Sequence, residues 1–348
     1  MIKLGVLCPA NIAINRFMPA LQECNNFQFA GVAVCTESER NEAAGCNLQQ
    51  EECAIRRKEQ ITKANYIINK YGSKIFYSYQ ELVLSEEIDA VYIPLPPALH
   101  YRWAKRCLQN GKHVLLEKPF TTSVRETKEL LEMAKRHDLA VCENYMFVFH
   151  NQVKVIKDII TSGRLGAVHL YDAKFGFPKR PKGDFRYNKI LGGGALLDCG
   201  GYLLKCASLF LGDDYRILYA FMGREREFDV DLYGSGTLMN KNSKNIMNIA
   251  YGMDYAYRCE LRVWGSEAVL ETGRFFTAPS QLRPVVSIYT SDGGCEKIEI
   301  GEDDTFQKSI MYFEKCMLNQ AEKELAYESI EKQSMRLEEY VEAAKRID

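Results

Sequence analysis

The chain has 348 residues, enough for two domains with separate cores, and a formal net charge of −1 with acidic and basic residues interspersed. That balance excludes the one-signed electrostatic footprint of a protein that binds nucleic acid or a membrane surface. Met1-Ile2-Lys3-Leu4-Gly5 leads into a strand pattern without a signal-peptide layout, and no apolar run has the length of a membrane span, so a cytoplasmic protein is expected.

The first part alternates strand and helix signals, the order of a doubly wound parallel sheet. Ile2 to Leu7 reads as a strand, Asn11 to Leu21 as a helix and Phe29 to Val34 as the next strand. A polar, charged stretch follows from Glu37 to Asn69, with helix-forming content and few apolar anchors before Tyr66-Ile67-Ile68. Ile88 to Ile93 resumes the strands and is stopped by Pro94, Pro96 and Pro97. Trp103 to Gln109 is helical, ended by Asn110-Gly111, and His113 to Leu116 is the following strand. Ser123 with Glu126 forms a capping box for an amphipathic helix from Val124 to Lys135, and Leu139 to Cys142 is the last strand of this half.

Beyond about residue 145 the pattern changes. A helix, Asn151 to Thr161, precedes strands at Val168 to Phe175, Tyr215 to Met222, Val230 to Leu238, Asn245 to Met253, Cys259 to Trp264 and Val285 to Tyr289. Short turns such as Ser291-Asp292-Gly293-Gly294 argue for an open, largely antiparallel sheet. Helices at Phe306 to Asn319 and Glu328 to Ile347 close the chain. The expected fold class is therefore α/β. A Rossmann domain over residues 1–122 is completed by a helix and strand at 123–145. Residues 146–348 form a substrate-binding and oligomerising α/β domain whose terminal helices pack back.

The 12 cysteines contain no Cys-x-x-Cys, and Cys8, Cys35 and Cys142 lie in apolar runs, as buried thiols in a reducing cytosol do. The five histidines have no metal-ligand spacing, and no metal is expected.

Three places carry chemistry. The first strand-to-helix turn, Gly5-Val6-Leu7-Cys8-Pro9-Ala10-Asn11-Ile12-Ala13, stands where a dinucleotide fold holds the pyrophosphate on amides at a helix N-terminus. Cys8, Ala10 and Ala13 occupy the usual glycine positions, and Asn11 is a candidate helix cap. Thr36-Glu37 follows the second strand, where a carboxylate accepts from a ribose 2′-hydroxyl and repels a 2′-phosphate. This favours NAD over NADP, the nearest arginine being Arg40. Glu117-Lys118-Pro119 ends a strand, where α/β sheets place their ligands, and Asp198-Cys199-Gly200-Gly201-Tyr202 follows the triplet Gly192 to Gly194. A tyrosine near a lysine is a proton donor whose ordinary pKa, about 10, the ammonium lowers.

Together these residues resemble the glucose-fructose oxidoreductase / inositol dehydrogenase / MocA family. The likeness runs from Asn11-Ile12-Ala13 and Met18-Pro19-Ala20-Leu21 through Ile88 to Pro94, His100, Gly111-Lys112-His113-Val114 and Glu117-Lys118-Pro119. It continues with Glu143, Met146, His150, Gly163-x-x-Gly166, Phe185-Arg186-Tyr187, Gly192 to Asp198 and Tyr202, and then Tyr257-Arg258-Cys259-Glu260, Val263-Trp264-Gly265-Ser266 and Arg274-x-Phe276-Thr277.

The resemblance implies NAD(P)-linked chemistry on a sugar or polyol, with Lys118 in the active site. It places Pro94, Leu95, His100, Glu117 and Arg186 beside the cofactor, together with Cys8, Pro9, Ala10, Asn11, Ile12, Thr36 and Glu37; for His100 the alternative is a satisfied structural histidine. Many relatives carry histidine where Tyr202 stands. Tyrosine there is similar to the branch with NDP-hexose 3-ketoreductases, D-xylose 1-dehydrogenase and dihydrodiol dehydrogenase, and Arg274-x-Phe276-Thr277 leans toward the first. Three departures stand out: Pro97 replaces a usual asparagine, Val148 replaces a frequent arginine, and the stretch after Glu37 is about twenty residues longer than a βα connection needs.

The expected reaction is reduction of a keto group on a nucleotide-linked 3-keto sugar in deoxysugar or polysaccharide biosynthesis. Lys118, Tyr202 and Asp198 are the catalytic candidates. Tyr202 is the proton donor with Lys118 lowering its pKa, or the roles are reversed, and Asp198 orients the substrate or the lysine. Arg186 and Tyr187 contact substrate or nicotinamide, or pack as a salt bridge. A free-aldose or polyol dehydrogenase and a non-catalytic NAD(P)-binding sensor are the alternatives. The expected assembly is a homodimer or homotetramer through the exposed face of the second sheet, where Tyr219, Phe221, Tyr251 and Tyr255 are candidates.

Overall fold

The computed structural model describes residues 1–44 and 50–347. In chain order the first half has β1 (Ile2–Val6), α1 (Met18–Gln22), β2 (Phe27–Ala33), α2 (Glu37–Ala44), α3 (Gln50–Tyr71), β3 (Ile75–Phe76), α4 (Tyr79–Leu84) and β4 (Ala90–Ile93). It continues with α5 (His100–Gln109), β5 (His113–Leu116), α6 (Val124–Arg136) and β6 (Val141–Glu143). The second half has α7 (Asn151–Thr161), β7 (Val168–Gly176), α8 (Gly201–Leu211), β8 (Tyr215–Gly223), β9 (Tyr233–Asn240), β10 (Ile246–Gly252) and β11 (Arg258–Gly265). Then follow β12 (Ala268–Gly273), β13 (Val285–Thr290), β14 (Cys295–Glu299), α9 (Thr305–Leu318), α10 (Gln320–Ala343) and β15 (Ala344–Ile347).

The chain divides into two compact units: Met1–Asn144 with Ile190–Gly192 and Phe306–Ser334, and Tyr145–Lys189 with Gly193–Thr305 and Met335–Asp348. The segment Phe306–Ser334, read from the sequence with residues 146–348, thus groups with the first unit.

The first unit holds a six-stranded, all-parallel sheet in the order β3-β2-β1-β4-β5-β6, the doubly wound arrangement expected. All four residues of β4 are buried, because helices cover both faces of such a sheet. Trp103, Leu108, Leu116, Leu130 and Ile93 are fully enclosed in its core, each side chain contributing roughly 1.5–3 kcal/mol by leaving water. The stretch read as polar between residues 37 and 69 forms α2 and the long helix α3. It is anchored by Ala64 and Ile67, both fully buried. Ser123 caps α6 as expected, its hydroxyl accepting from Glu126 N–H.

The second unit is built on a nine-stranded sheet, β14-β13-β12-β11-β7-β10-β9-β8-β15. Its pairs are antiparallel except β10 with β7 and β15 with β8. Burial alternates along β9, β10 and β11, so one face is covered and the other is not. Tyr251, expected on the open face, is fully buried on the covered one, whereas Tyr219 and Tyr255 are each 47% exposed. A second correction concerns the chain end. Residues 344–347 are read from the sequence as helix, but they form β15, parallel to β8, because pairing with an open sheet edge satisfies the backbone there. By length and composition Lys189–Leu211 is apolar enough to cross a membrane, yet 67% of that window is buried, as in a core helix.

Candidate active site

At the carboxyl end of β1 the chain turns through Cys8, Pro9 and Ala10, with Ala10 N–H donating to Cys8 O at 2.8 Å. Ile14 N–H donates to Ala10 O at 3.0 Å, so the helix already includes Asn11, which is exposed and is not its cap. A wide π turn, Ala13–Phe17, continues into α1, a variant frequent at functional sites. Cys8, Ala10 and Ile12 are half-exposed while Ala13 is fully buried. Small side chains over the partnerless amides of a first helical turn fit a pyrophosphate. Burial pushes the Cys8 thiol up to about 11, so it is neutral beside such a group.

Gln60 of α3 joins the ends of β1 and β2: its Nε2 donates to Cys8 Sγ at 3.8 Å and its Oε1 accepts from Cys35 N–H at 3.0 Å. Thr36 and Glu39 form a reciprocal capping box on α2. Glu39 N–H donates to Thr36 Oγ1 at 3.2 Å and Thr36 N–H to Glu39 Oε2 at 2.8 Å. Glu39 also accepts from Ser78 Oγ, Tyr79 N–H and Gln80 N–H. Burial acts to raise its pKa, but these donors win and hold it below the usual carboxylate value. The Thr36-x-x-Glu39 pattern is the sequence signal for this cap, whereas Glu37 is exposed. Two arginines converge where β2 ends: Arg40 Nη2 donates to Cys35 Sγ at 3.1 Å and Arg57 Nη1 to Cys35 O at 2.9 Å.

At the ends of β4, β5 and β6 a polar network surrounds Glu117. Its Oε1 accepts from Tyr92 Oη and Asn144 Nδ2, both at 2.7 Å, and Ser309 Oγ donates to Asn144 Oδ1 at 2.7 Å. Burial raises the Glu117 carboxyl, opposed by Asn144, Tyr92 and the neighbouring Lys118. Lys118 is partly exposed immediately beyond β5, and its peptide bond to Pro119 is cis. Pro94 is buried and Leu95 is almost fully so. Of the two roles expected for His100, a cofactor contact or a satisfied structural histidine, its surroundings are those of the second. It is fully buried, with Nδ1 2.8 Å from Pro119 O and Nε2 2.7 Å from Leu95 O. Burial pushes it down to about 4, and the neutral ring, with a single N–H, donates to one of these two carbonyls while its enclosure keeps it from solvent.

In the second unit Arg186, Asp198 and Tyr202 hang on one local construction. Gly193 and Gly194 let the chain fold tightly against Arg186: a Cβ on Gly193 would lie 2.4 Å from Arg186 O, and Gly194 has φ +121°. A π turn, Leu196–Gly200, then runs into α8, carrying Asp198 and Tyr202 as successive turns. Arg186 Nε donates to Asp198 Oδ2 at 2.6 Å and Nη1 to Asp184 Oδ1 at 3.1 Å, so of its two expected roles the salt bridge is observed. Burial alone would weaken the guanidinium charge, and the carboxylates of Asp198 and Asp184 more than restore it.

Tyr202 is only 5% exposed. Its ring is met edge-on by Tyr145 and Phe175 at 5.1 and 5.2 Å, with Phe147 and Phe276 adjoining. Its hydroxyl donates to Met146 Sδ at 3.8 Å. The Arg274-x-Phe276-Thr277 segment closes this enclosure: Phe276 N–H donates to Cys259 Sγ, and Arg274 stacks 4.2 Å over Tyr257, whose hydroxyl pairs with Thr277 at 2.7 Å. Among the described residues no three His, Cys, Asp or Glu side chains gather as a metal site.

Residues 20–145 match the model of the oxidoreductase family with an NAD-binding Rossmann fold, and residues 153–271 match the GFO/IDH/MocA C-terminal domain. A dTDP-3,4-didehydro-2,6-dideoxy-α-D-glucose 3-reductase of Streptomyces violaceoruber is 35% identical over 85% of this chain and 80% of its own. A D-xylose 1-dehydrogenase (NADP+) of Haloferax volcanii is 29% identical over 90% and 88%. Among solved structures, a 3-ketoreductase from Actinomadura kijaniata in complex with NADP and TDP-benzene superposes with a TM-score of 0.88 at 31% identity, covering 99% of this chain and 98% of that one. The chain belongs to the GFO/IDH/MocA family and is an NAD(P)-dependent oxidoreductase.

Proposed function

We propose that the protein reduces the 3-keto group of a dTDP-linked 2,6-dideoxyhexose, with NADPH as the preferred cofactor and Lys118 and Tyr202 managing the proton. The observation that carries the reading is a lysine-to-tyrosine spacing. The Actinomadura 3-ketoreductase has been crystallised as variants at one lysine and at one tyrosine. They stand as many residues apart as Lys118 and Tyr202 do here, in chains that align over nearly their whole lengths.

Bound dihydronicotinamide supplies the hydride. The chain supplies the rest: Tyr202 Oη gives its proton to the carbonyl oxygen as the C–H bond forms, and the Lys118 ammonium stabilises the negative charge that develops on both oxygens. Asp198, held by Arg186, orients the sugar.

Preference for the 2′-phosphorylated cofactor rests on Arg40 and Arg57 at the end of β2 and on the exposure of Glu37, against the lean toward NAD drawn from the sequence. A cytoplasmic location is consistent with the free thiols, most of them buried.

The test is turnover of a dTDP-linked 3-keto sugar and of D-xylose, each with both cofactors. Reduction of the keto sugar by NADPH is expected. Oxidation of D-xylose without keto-sugar reduction would replace this reading with the aldose dehydrogenase.

A further inference from the structure

The helix that carries Asp198 and Tyr202 starts without a cap of its own. Ala195 already has helical angles, φ −66° and ψ −34°, and no side chain of its own segment bonds the first-turn amides. Asp231, on the connection between β8 and β9, takes two of them. Leu196 N–H donates to Asp231 Oδ2 at 2.7 Å, and Ala195 N–H donates to Asp231 O at 2.8 Å. The other carboxylate oxygen, Oδ1, would be 2.4 Å from a Cβ on residue 194. Glycine at 194 therefore does two things: it adopts φ +121° and leaves room for this carboxylate.

We propose that Asp231 is the positioning residue of the site, capping the Leu196–Gly200 turn from a distant segment and so fixing where Asp198 and Tyr202 stand. The proposal rests on the assignment of those two residues to the reaction. Its physical basis is the favourable placement of a carboxylate at a helix N-terminus, where amides and dipole both present positive charge.

The surroundings make the cap sensitive to acid. Burial pushes the Asp231 carboxyl up to about 6, opposed by the Leu196 amide, its own amide, the Ala195 amide and the charge of Arg346 on β15. Tyr251 of β10 and Tyr340 of α10 also face it; burial first, and then in part its charge, pushes both phenols upward. Of these groups only Asp231 changes charge near neutrality. The capping charge is therefore lost as pH falls through about 6, while an asparagine would still accept from Leu196 N–H.

The experiment combines kcat and KM between pH 5 and 8 with hydrogen exchange of the peptide 194–204, for wild type, Asp231→Ala and Asp231→Asn. Expected for Asp231→Ala is faster exchange in that peptide only and a loss of kcat on the order of a hundredfold, with KM for NADPH unchanged. Asp231→Asn, which keeps an acceptor without the charge, should recover only part of that loss and lack the acid limb expected of wild type near pH 6. Unchanged exchange in Asp231→Ala, or an acid limb that keeps its midpoint in Asp231→Asn, would overturn the proposal. If Tyr202→Phe kept full turnover while Asp231→Ala still loosened the peptide, the cap would stand and the assignment of Tyr202 would fall.

Discussion

Arg186 and Asp198 form a 2.6 Å charge-assisted hydrogen bond through Nε, and the same guanidinium reaches Asp184 at 3.1 Å. Side-chain exposure is 24% for Arg186 and 13% for Asp198, so solvent screens the pair weakly. Asp198 is thereby oriented as an acceptor. Arg186→Ala would leave it without this partner, and a partly buried hydrogen bond to a charged group is worth about 1.5–3 kcal/mol. The expected result is at least about tenfold lower kcat/KM for the sugar, with cofactor affinity nearly unchanged. Cofactor titration by fluorescence quenching, alongside steady-state kinetics, separates the two. A large loss of NADPH affinity would return Arg186 to the cofactor.

Lys118→Ala and Tyr202→Phe should each abolish most turnover, by ~10²–10⁴-fold for loss of a positioned proton donor, while NADPH still binds. Tyr202→Phe preserves the ring that Tyr145, Phe175 and Phe147 surround, so its melting temperature should stay close to wild type. Tyr202→Ala is different. It opens a hole in that cluster and should cost about 3–5 kcal/mol, as large aromatic truncations do. The Tyr202 ring is part of the core of the second unit, which makes phenylalanine the informative substitution. On the proposed mechanism the two residues act as a unit, so the double variant should be scarcely worse than the poorer single one.

Cofactor choice should depend on Arg40 and Arg57. Replacing either with alanine removes a cation from the end of β2, so NADPH affinity should fall about tenfold while NADH affinity changes little. Equal losses for both cofactors would mean that the arginines only brace the Cys35 backbone.

The uncovered face of the nine-stranded sheet carries Tyr219, Trp264 and Tyr289, each more than 40% exposed. Exposed aromatics on one sheet face mark an association surface, and a homodimer or homotetramer is expected. Light scattering at micromolar concentration should give two or four times the mass of one chain, and Trp264→Glu should lower it. A wild-type monomer at that concentration would contradict the expectation.

The longer strands of the first unit were legible because buried parallel strands such as Ala90–Ile93 are continuous apolar runs closed by prolines. Short edge elements were not. β3 has two residues, and β15 follows a helical pattern until it meets β8, so neither has a period to read. Of the residues proposed for the site, Lys118, Asp198 and Tyr202 stand in motifs visible in the sequence, whereas Asp231 was invisible. Its partners Ala195 and Leu196 are far away in sequence, and an aspartate within the stretch read as the strand Val230 to Leu238 carries no local capping signal. His100 shows the converse: a motif position that folding encloses, with a backbone carbonyl beside each ring nitrogen. The inserted helix α3 gave no sequence clue that Gln60 and Arg57 would return to the ends of β1 and β2.

Asp231 should also mark the stability of the protein in acid. Its carboxyl titrates at about 6 in the fold and at the ordinary aspartate value, near 4, in the unfolded chain. Between those values the native state binds more protons than the unfolded one, so stability falls as pH rises across that window, by roughly 3 kcal/mol for two pKa units. Asp231→Asn has no such slope. Urea midpoints measured from pH 4 to 7 should therefore favour the asparagine variant increasingly as pH rises, with the difference levelling off above about pH 6. Acid effects of every other group cancel in the comparison. A flat difference would mean that the carboxyl is not perturbed. The expected result would instead show that the ionised form costs the fold stability at neutral pH, which explains why a carboxylate rather than an amide at this position requires a use for its charge: holding the turn that carries Asp198 and Tyr202.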